Sequence, residues 1–251
     1  MSFPTIAVSL EEDKVRASQL AQRLQMPLAE VDSLSKFDMT LAYTSQGLVL
    51  RDNRNPRLQP VGAGTNKPSY AVRRSDPLGK AMGKGVKTVV DATAGLGVDT
   101  LLLWRMGFVV TAVERSPVVA ALLQDMIDRI QVGLSLAKQI QVVQQDSISY
   151  LSQLAVKPDV IYLDPMFPAK TRASVLAKKE LRILRSLVGE NSDADQLFHT
   201  ALACARSRVV VKRPLKALPL VMPATTTQAG KLIRYDVYSC KALAHLIGSG
   251  K

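Results

Sequence analysis

The chain has few of the residues that build metal centres. It contains two cysteines, Cys204 and Cys240, and two histidines, His199 and His245, among 251 residues. The cysteines lack the CxxC spacing, and the histidines do not complete a ligand set with them. We therefore expect no metal site, and ordinary roles for these four side chains.

Long hydrophobic runs are also missing. Charged residues interrupt every candidate for the roughly 20 apolar residues that a membrane span needs. The N-terminal stretch MSFPTIAVSLEEDKVR lacks the basic start and long apolar run of a signal peptide. With 47% hydrophobic residues, the chain can still bury a substantial core. The expectation is a globular cytoplasmic protein with no membrane contact.

Acidic residues are too few to balance the basic ones. Lysine and arginine total 33 against 21 acidic residues, which gives a net charge of +12. Such a field attracts polyanions and opposes self-association, so nucleic acid is the leading partner class and a monomer is expected. The alternative is a generically basic protein with solvated lysines. Basic residues concentrate between Arg51 and Lys87, where only Asp52 and Asp76 oppose them.

The order of the patterns predicts an α/β protein. Residues 1 to about 50 combine the strand-like TIAVSL, a helical pattern in EEDKVRASQLAQRLQM, and a hairpin that turns at Gly47. From Lys87 onward, strands alternate with helices, which predicts a Rossmann-like, doubly wound, mostly parallel sheet. The predicted strands are KTVVDA, FVVTAVE, QIQVVQQD, DVIYLD, SRVVVKRP and KLIRYDVYS, and the predicted helices are GVDTLLLWRMG, PVVAALLQDMIDRI, ASVLAKKELRILRSLV and ADQLFHTALACAR. We place a small N-terminal α+β subdomain with its basic connector at residues 1–75, and the main domain at 76–251.

A glycine-rich turn, DATAGLGVDT, follows the first strand of the main domain. Gly95 and Gly97 allow a tight turn and a close approach to a ligand, and the next helix directs its amide donors to the same space. No GK[ST] follows, so this is not a Walker A loop, and the full GxGxxG spacing of dinucleotide-binding domains is also lacking. The turn indicates a nucleotide-like ligand.

Acidic residues end the next strands. Glu114 can accept two hydrogen bonds from a ribose diol, and the alternative is an acid that only favours the N-terminus of the next helix. Asp146 could accept from an adenine amino group. A fourth strand ends in YLDPMFP, where Asp164 is the candidate acceptor for a target amine.

These motifs carry a family resemblance. VVDATAGLGVD, ERSPVVAALL, VIYLDPMFP, KKELRILRSLVG, DAD and RVVVKRP together resemble the RsmJ family of class I S-adenosylmethionine (SAM)-dependent methyltransferases, over residues 55 to 240. That family methylates the 2-amino group of a guanine in 16S ribosomal RNA. The resemblance implies SAM as the cofactor, and 16S rRNA or the small ribosomal subunit as the partner. Met166 and Thr93 depart from the broader class patterns.

The resemblance and the residues together give a set of candidate site residues. In the expected chemistry, the Asp164 carboxylate and the Pro165 carbonyl accept the two N–H groups of the target amine, and Phe167 stacks on the base. The expected SAM contacts are Ala94, Gly95, Gly97, Val98, Asp99, Glu114, Arg115, Asp146, Ser147 and Asp164. The expected RNA contacts are Lys170, Arg172, Lys178, Lys179, Lys212 and Arg213.

Three alternatives remain open on the sequence. An adenine 6-amino methyltransferase acting on RNA or DNA uses a related motif. A non-catalytic RNA-binding ribosome-assembly factor could retain the same fold. An NAD-dependent enzyme is a more distant third.

Overall fold

A computed structural model describes residues 5–9, 13–63, 72–132, 140–165 and 193–242. The described strands are β1 (Ile6–Ser9), β2 (Leu28–Ala29), β3 (Met39–Thr44), β4 (Gly47–Asp52), β5 (Val61–Gly62), β6 (Thr88–Asp91), β7 (Val109–Glu114), β8 (Gln141–Gln144), β9 (Val160–Leu163), β10 (Arg208–Pro214), β11 (Thr226–Ala229) and β12 (Ile233–Ser239). The described α-helices are α1 (Lys14–Leu24), α2 (Pro77–Met82), α3 (Val98–Arg105), α4 (Pro117–Ile130), α5 (Ser147–Ser152) and α6 (Ala194–Cys204). None of these helices is long and apolar enough to cross a membrane.

The chain divides into two compact units. Within the described ranges, the first unit takes in the residues up to 63 together with Ser116–Val132, and the second takes in the rest. The first unit therefore includes α4, although this helix lies between β7 and β8 in the sequence. The domain boundary placed between residues 75 and 76 stays a prediction.

The first unit contains a mixed sheet with the strand order β2-β1-β3-β4-β5. Its β3–β4 hairpin turns at Gly47, whose φ of 106° favours glycine, so the hairpin predicted at this residue is confirmed. Asp13 caps the N-terminus of helix α1, because its side chain accepts a hydrogen bond from the Arg16 amide. The buried face of this helix comprises Ala17, Leu20 and Ala21.

An ion-pair cluster ties α4 to the sheet of the first unit. The buried carboxylate of Asp125 accepts hydrogen bonds from Arg16 at 2.7 Å, from Arg129 at 2.9 Å and from the Leu48 amide at 2.9 Å. The Arg16 guanidinium also lies 4.0 Å from the centre of the Tyr43 ring. These contacts join α1, β4 and α4.

The second unit contains the predicted doubly wound sheet. Its strand order is β11-β12-β10-β9-β6-β7-β8, with β10, β9, β6, β7 and β8 parallel and β12 antiparallel to β10. Its core comprises apolar side chains of β6, β9 and β10 together with Phe198 of α6 and Tyr238 of β12. Because the chain moves outward from β6 through β8 and returns at β9, the strand order reverses between β6 and β9.

The long alternating patterns predicted these elements well. The strands predicted in KTVVDA, FVVTAVE, DVIYLD and SRVVVKRP are confirmed, as are the helices in PVVAALLQDMIDRI and ADQLFHTALACAR. The patterns did not reveal α2, α5, β2, β5 or β11, which have two to six residues each. The helix predicted in ASVLAKKELRILRSLV lies outside the described residues.

Candidate active site

The candidate site lies at the carboxyl edge of the second unit's sheet, at the point where the strand order reverses. Asp91 is the last residue of β6, and Asp164 directly follows β9. The two strands are parallel neighbours, with Asp91 opposite Tyr162. In open α/β sheets this crevice is where ligands bind.

The glycine turn after β6 forms the first wall of the site. Gly95 and Gly97 have φ values of 52° and 79°, a region that favours glycine. The Gly95 amide donates to Glu114 Oε2 at 3.0 Å, and the Ala94 amide donates to the Val113 carbonyl at 3.1 Å. Four of the expected SAM contacts, Ala94, Gly95, Gly97 and Glu114, therefore lie at adjacent ends of β6 and β7.

Most of the other expected SAM contacts bond to protein groups near the glycine turn. Asp146 caps α5 by accepting from the Ser149 amide at 2.9 Å, and the Ser147 hydroxyl donates to the Ala92 carbonyl at 2.6 Å. Arg115 pairs with Asp193 at 3.1 Å. Val98 is 37% exposed at the start of α3. Ser147 thus locks the segment after β8 onto the end of β6.

A network of charged side chains connects the glycine turn to the motif after β9. The Lys212 Nζ lies 2.7 Å from Asp99 Oδ2 and 2.9 Å from Asp164 Oδ2. The Tyr162 hydroxyl donates to the same Asp99 oxygen at 2.6 Å. Asp99 and Asp164, both candidate site residues, are therefore held together by a lysine from β10.

Asp91 and Thr93 extend this network. The Thr100 hydroxyl donates to Asp91 Oδ2 at 2.6 Å, and the Thr93 amide donates to Asp91 Oδ1 at 3.2 Å. The Thr93 Oγ1 in turn accepts from the Asp164 amide at 2.6 Å. Thr93 stands where the class pattern has glycine, and here it joins the end of β6 to the residue after β9.

Burial and neighbouring charges shift the ionisation of this network. Burial raises the pKa of Asp91 from an ordinary 3.8 to about 7, against the hydrogen bond from Thr100. Burial also raises the pKa of Asp164, while the Lys212 ammonium lowers it and the Asp99 carboxylate raises it. Burial would lower the pKa of Lys212, but the carboxylates of Asp164 and Asp99 outweigh burial and raise it. Lys212 therefore keeps its proton at neutral pH.

The charges of the site fit a cationic ligand. Within the described part of the chain, the hydrogen-bonded network holds the carboxylates of Asp99 and Asp164, one ammonium group, and Asp91, whose raised pKa leaves it only partly ionised near pH 7. The Glu114 carboxylate lies nearby at the glycine turn. SAM carries a sulfonium and an ammonium group, so this excess of negative charge and the open glycine turn suit it. The described residues contain no His, Cys, Asp or Glu cluster that could hold a metal ion.

The structure assigns other contacts to two expected RNA-binding residues. Lys212 is 22% exposed and pairs with two carboxylates, and the buried Arg213 donates to the Leu218 carbonyl through Nε at 3.0 Å. Their role as phosphate contacts therefore stays a prediction, and both side chains already bond to groups of the protein itself. Pro165 is buried beside Asp164. Phe167, Lys170, Arg172, Lys178 and Lys179 lie outside the described residues.

Sequence reasoning gave no role to Asp91, Thr93, Thr100 or Tyr162. Asp91 had a visible signal, because it ends the first strand of the main domain as Glu114 ends the second. The sequence gives no sign of a role for Tyr162 or Thr100, because both lie in apolar runs that are typical of a buried core. Their contacts become visible only in the folded structure. The two carboxylates that hold Lys212 also come from distant parts of the chain, so spacing alone could not reveal the ion pairs.

The fold has a close structural relative. The crystal structure of a SAM-dependent methyltransferase from Neisseria gonorrhoeae superimposes with a TM-score of 0.71 at 30% identity, and covers 94% of this chain and 96% of that one. Together with the doubly wound sheet and the acidic crevice, this defines a class I SAM-dependent methyltransferase, with SAM as its cofactor.

Sequence relatives refine this class. A family model described as a putative SAM-dependent methyltransferase matches residues 19–240. A ribosomal RNA small subunit methyltransferase J from Aeromonas salmonicida is 41% identical over 250 residues, covering 94% of this chain and 98% of the relative. One from Coxiella burnetii is 38% identical, covering 90% and 92%. The chain belongs to the ribosomal RNA small subunit methyltransferase J family.

Proposed function

We propose that the protein transfers the methyl group of SAM to the 2-amino group of a guanine in small-subunit (16S) ribosomal RNA. The observation that carries this proposal is the Asp164 carboxylate, which lies at the sheet's carboxyl edge directly before Pro165 and within the same ion-pair network as Asp99. Relatives named for small-subunit ribosomal RNA support the substrate class. The resemblance of DPMFP to motifs of exocyclic-amine methyltransferases supports an amine target.

SAM supplies an electrophilic methyl group, whose bond to sulfur breaks as the bond to nitrogen forms, with the electron pair staying on sulfur. Asp99 and Glu114 are the carboxylates that would hold the cationic donor, with the glycine turn beside them. Their excess negative charge favours a ligand that carries positive charge. The chain therefore provides a binding surface for the donor on the β6 side of the crevice.

The acceptor nitrogen needs help because its lone pair is delocalised into the guanine ring. The Asp164 carboxylate and the Pro165 carbonyl would each accept one N–H, which aims the lone pair at the methyl group. Asp164 must be ionised to do so. After transfer the nitrogen carries an extra proton, which Asp164 accepts and passes to water.

The target base has to leave its stack to reach a crevice of this kind. Phe167 is the proposed stacking surface for that base, worth about 1 to 3 kcal/mol by analogy with other base–aromatic contacts.

The RNA around the target base requires a basic surface. The net charge of +12 supports electrostatic attraction of RNA. In the first unit, a cavity of about 250 Å³ is lined by the end of β4 and the β4–β5 connection, including Arg51 and the exposed Arg57. We include this surface, with Lys170, Arg172, Lys178 and Lys179, as the proposed phosphate contacts. A cytoplasmic monomer completes the proposal.

The experiment compares wild type with Asp164→Asn. Methyl groups labelled on SAM are offered with small ribosomal subunits and, separately, with naked 16S RNA. Wild type should label at least one of the two RNAs, and Asp164→Asn should lose about 10²- to 10³-fold in rate, as expected when a preorganised group at the reacting centre is removed. SAM binding by calorimetry should remain measurable in the variant. Equal labelling by both proteins would contradict the assignment of Asp164.

A further inference from the structure

Lys212 occupies a position that phosphate contact does not explain. The register of β10 with β9 places Val211 opposite Leu163, so Lys212 follows at the same level as Asp164. Its ammonium then lies within 2.9 Å of carboxylates from two different parts of the site. Asp99 comes from the first turn of α3, on the side proposed for the donor, and Asp164 directly follows β9, on the side proposed for the acceptor.

The carboxylates around Lys212 repel one another. Asp91 from β6 and Asp99 from α3 both face Asp164 electrostatically, and the Tyr162 hydroxyl from β9 donates to Asp99. Tyr235 from β12 lies beside Tyr162, with ring centres 6.5 Å apart. Groups coupled this closely cannot all ionise unless a cation compensates them. Within the described residues, the Lys212 ammonium is the cation bonded to two of them.

We propose that Lys212 is a positioning residue for methyl transfer, which fixes the Asp164 carboxylate in its ionised form and ties it to Asp99. The inference rests on the proposed function, because it gives Asp164 the task of accepting an N–H from the target amine. In this role Lys212 contacts neither RNA nor SAM. It acts through the two carboxylates, and its two ion pairs set the spacing between the donor side and the acceptor side of the crevice.

The pKa directions agree with this geometry. Burial raises the pKa of Asp164 and the Lys212 ammonium opposes that rise. Removal of the ammonium should therefore raise the pKa of Asp164 further, so that more of the carboxyl is protonated near neutral pH. A protonated carboxyl accepts a hydrogen bond from the amine poorly and cannot take its proton. Activity lost in this way should return as the pH rises.

A phosphate contact would behave differently. Loss of a lysine that binds phosphate weakens RNA binding, raises the KM for RNA and reduces the salt dependence of binding. It leaves kcat and the pH profile nearly unchanged. The kinetic parameters therefore distinguish the two roles of Lys212. Loss of a positioning residue lowers kcat, whereas loss of a phosphate contact raises the KM for RNA.

The test uses Lys212→Met, which removes the charge and roughly keeps the length of the side chain, and Lys212→Arg, which keeps the charge. Lys212→Gln serves as a second neutral variant. The rate of labelled methyl transfer to the RNA that wild type methylates is measured from pH 6 to pH 9 at saturating SAM. We expect kcat of the neutral variants to fall by about 10²-fold at pH 7 and to recover with rising pH, while the arginine variant keeps the wild-type profile at a reduced rate.

A second readout needs neither RNA nor SAM. Carbon-13 NMR of labelled aspartate follows the Asp164 carboxyl in the free protein, with Asp164→Asn as the assignment control. The midpoint of this titration should rise by at least one pH unit in Lys212→Met or Lys212→Gln compared with wild type, and stay near wild type in Lys212→Arg. Thermal unfolding checks that each variant is folded.

Unchanged titration of Asp164 in both neutral variants, or a loss confined to KM for RNA, would overturn the positioning role. Failure of the proposed function would look different, because wild type itself would then methylate no guanosine. The NMR result stands in either case, since it measures the free protein.

Discussion

Thr93 accepts a hydrogen bond from the backbone amide of Asp164, with 2.6 Å between Oγ1 and the amide nitrogen. The Thr93 amide also donates to Asp91 at 3.2 Å. Through its backbone amide and its hydroxyl, this one residue therefore fixes the residue after β9 relative to the end of β6. This bond gives a physical reason for threonine at a position where the class pattern has glycine.

Replacement of Thr93 by valine should distinguish the effect of this hydrogen bond from the effect of side-chain packing. Valine keeps the shape of threonine and removes the hydroxyl, so the partly buried Asp164 amide loses its acceptor, at a cost of about 1 to 3 kcal/mol. We expect kcat for methyl transfer to fall about tenfold. Thr93→Ser retains the acceptor and is the matched control. Equal activity of the valine and serine variants would show that the hydroxyl does not position Asp164.

Asp91 should make the stability of the protein depend on pH. Its pKa in the folded protein is about 7 against an ordinary value of 3.8, so the folded state prefers the protonated carboxyl. The associated stability is fully present below about pH 4 and is lost as the pH rises through about 7. Asp91→Asn removes this loss, with an upper limit of about 4 kcal/mol, because a difference of one in pKa corresponds to about 1.4 kcal/mol.

The measurement is the melting temperature of both proteins without SAM, from pH 5 to pH 9. Asp91→Asn should gain on wild type as the pH rises. A constant difference between the two proteins over this range would contradict a raised pKa for Asp91.

Glu114 should contribute to SAM binding rather than to the chemical step. Its carboxylate accepts from the Gly95 amide at 3.0 Å and so stabilises the glycine turn at which the donor is expected. Glu114→Gln keeps an acceptor and removes the charge, which should weaken SAM binding about tenfold, since hydrogen bonds to charged groups contribute about 1.5 to 3 kcal/mol. Calorimetry with SAM measures this effect. A reduced kcat at saturating SAM with unchanged affinity would assign Glu114 a different role.

Asp125 should stabilise the first unit without affecting methyl transfer chemistry. Its buried carboxylate holds the Leu48 amide and two arginines that stay about half exposed. Asp125→Ala leaves the buried amide unpaired and should cost about 2 to 3 kcal/mol. Arg16→Ala leaves two partners in place and should cost about 1 kcal/mol. The melting temperatures rank the two variants, and a reversed order would contradict the central place of Asp125 in this cluster.

Much of the fold followed from local patterns. Apolar runs such as those around Val89 and Ile161 mark buried parallel strands, and helices of the length of α4 carry a clear period. The assignment of α4 to the first unit did not follow, because it depends on contacts between Asp125 and residues about 80 and 110 positions away in the chain. Short elements such as β5 and β2 form through pairing with neighbours, which a local pattern does not encode.

The candidate site was predictable at its strand ends and much less so inside the crevice. Glu114 and Asp164 stand at positions where the fold places ligand contacts, so their types alone were informative. Lys212 was read as a basic residue near RNA, because sequence shows its charge and not its partners. Its two ion pairs arise from the register between β9 and β10 and from the start of α3, which only the folded chain brings together.

The most direct test of the central claim is the identity of the nucleoside that the protein methylates. Small ribosomal subunits or 16S RNA lacking the modification are incubated with wild type and labelled SAM, digested to nucleosides and separated by chromatography with mass detection. The proposed function predicts label in N2-methylguanosine from at least one substrate, and labelling that is about 10²- to 10³-fold slower with Asp164→Asn. Label in N6-methyladenosine would reassign the target base, and absence of labelled nucleoside with both substrates would contradict the proposed function.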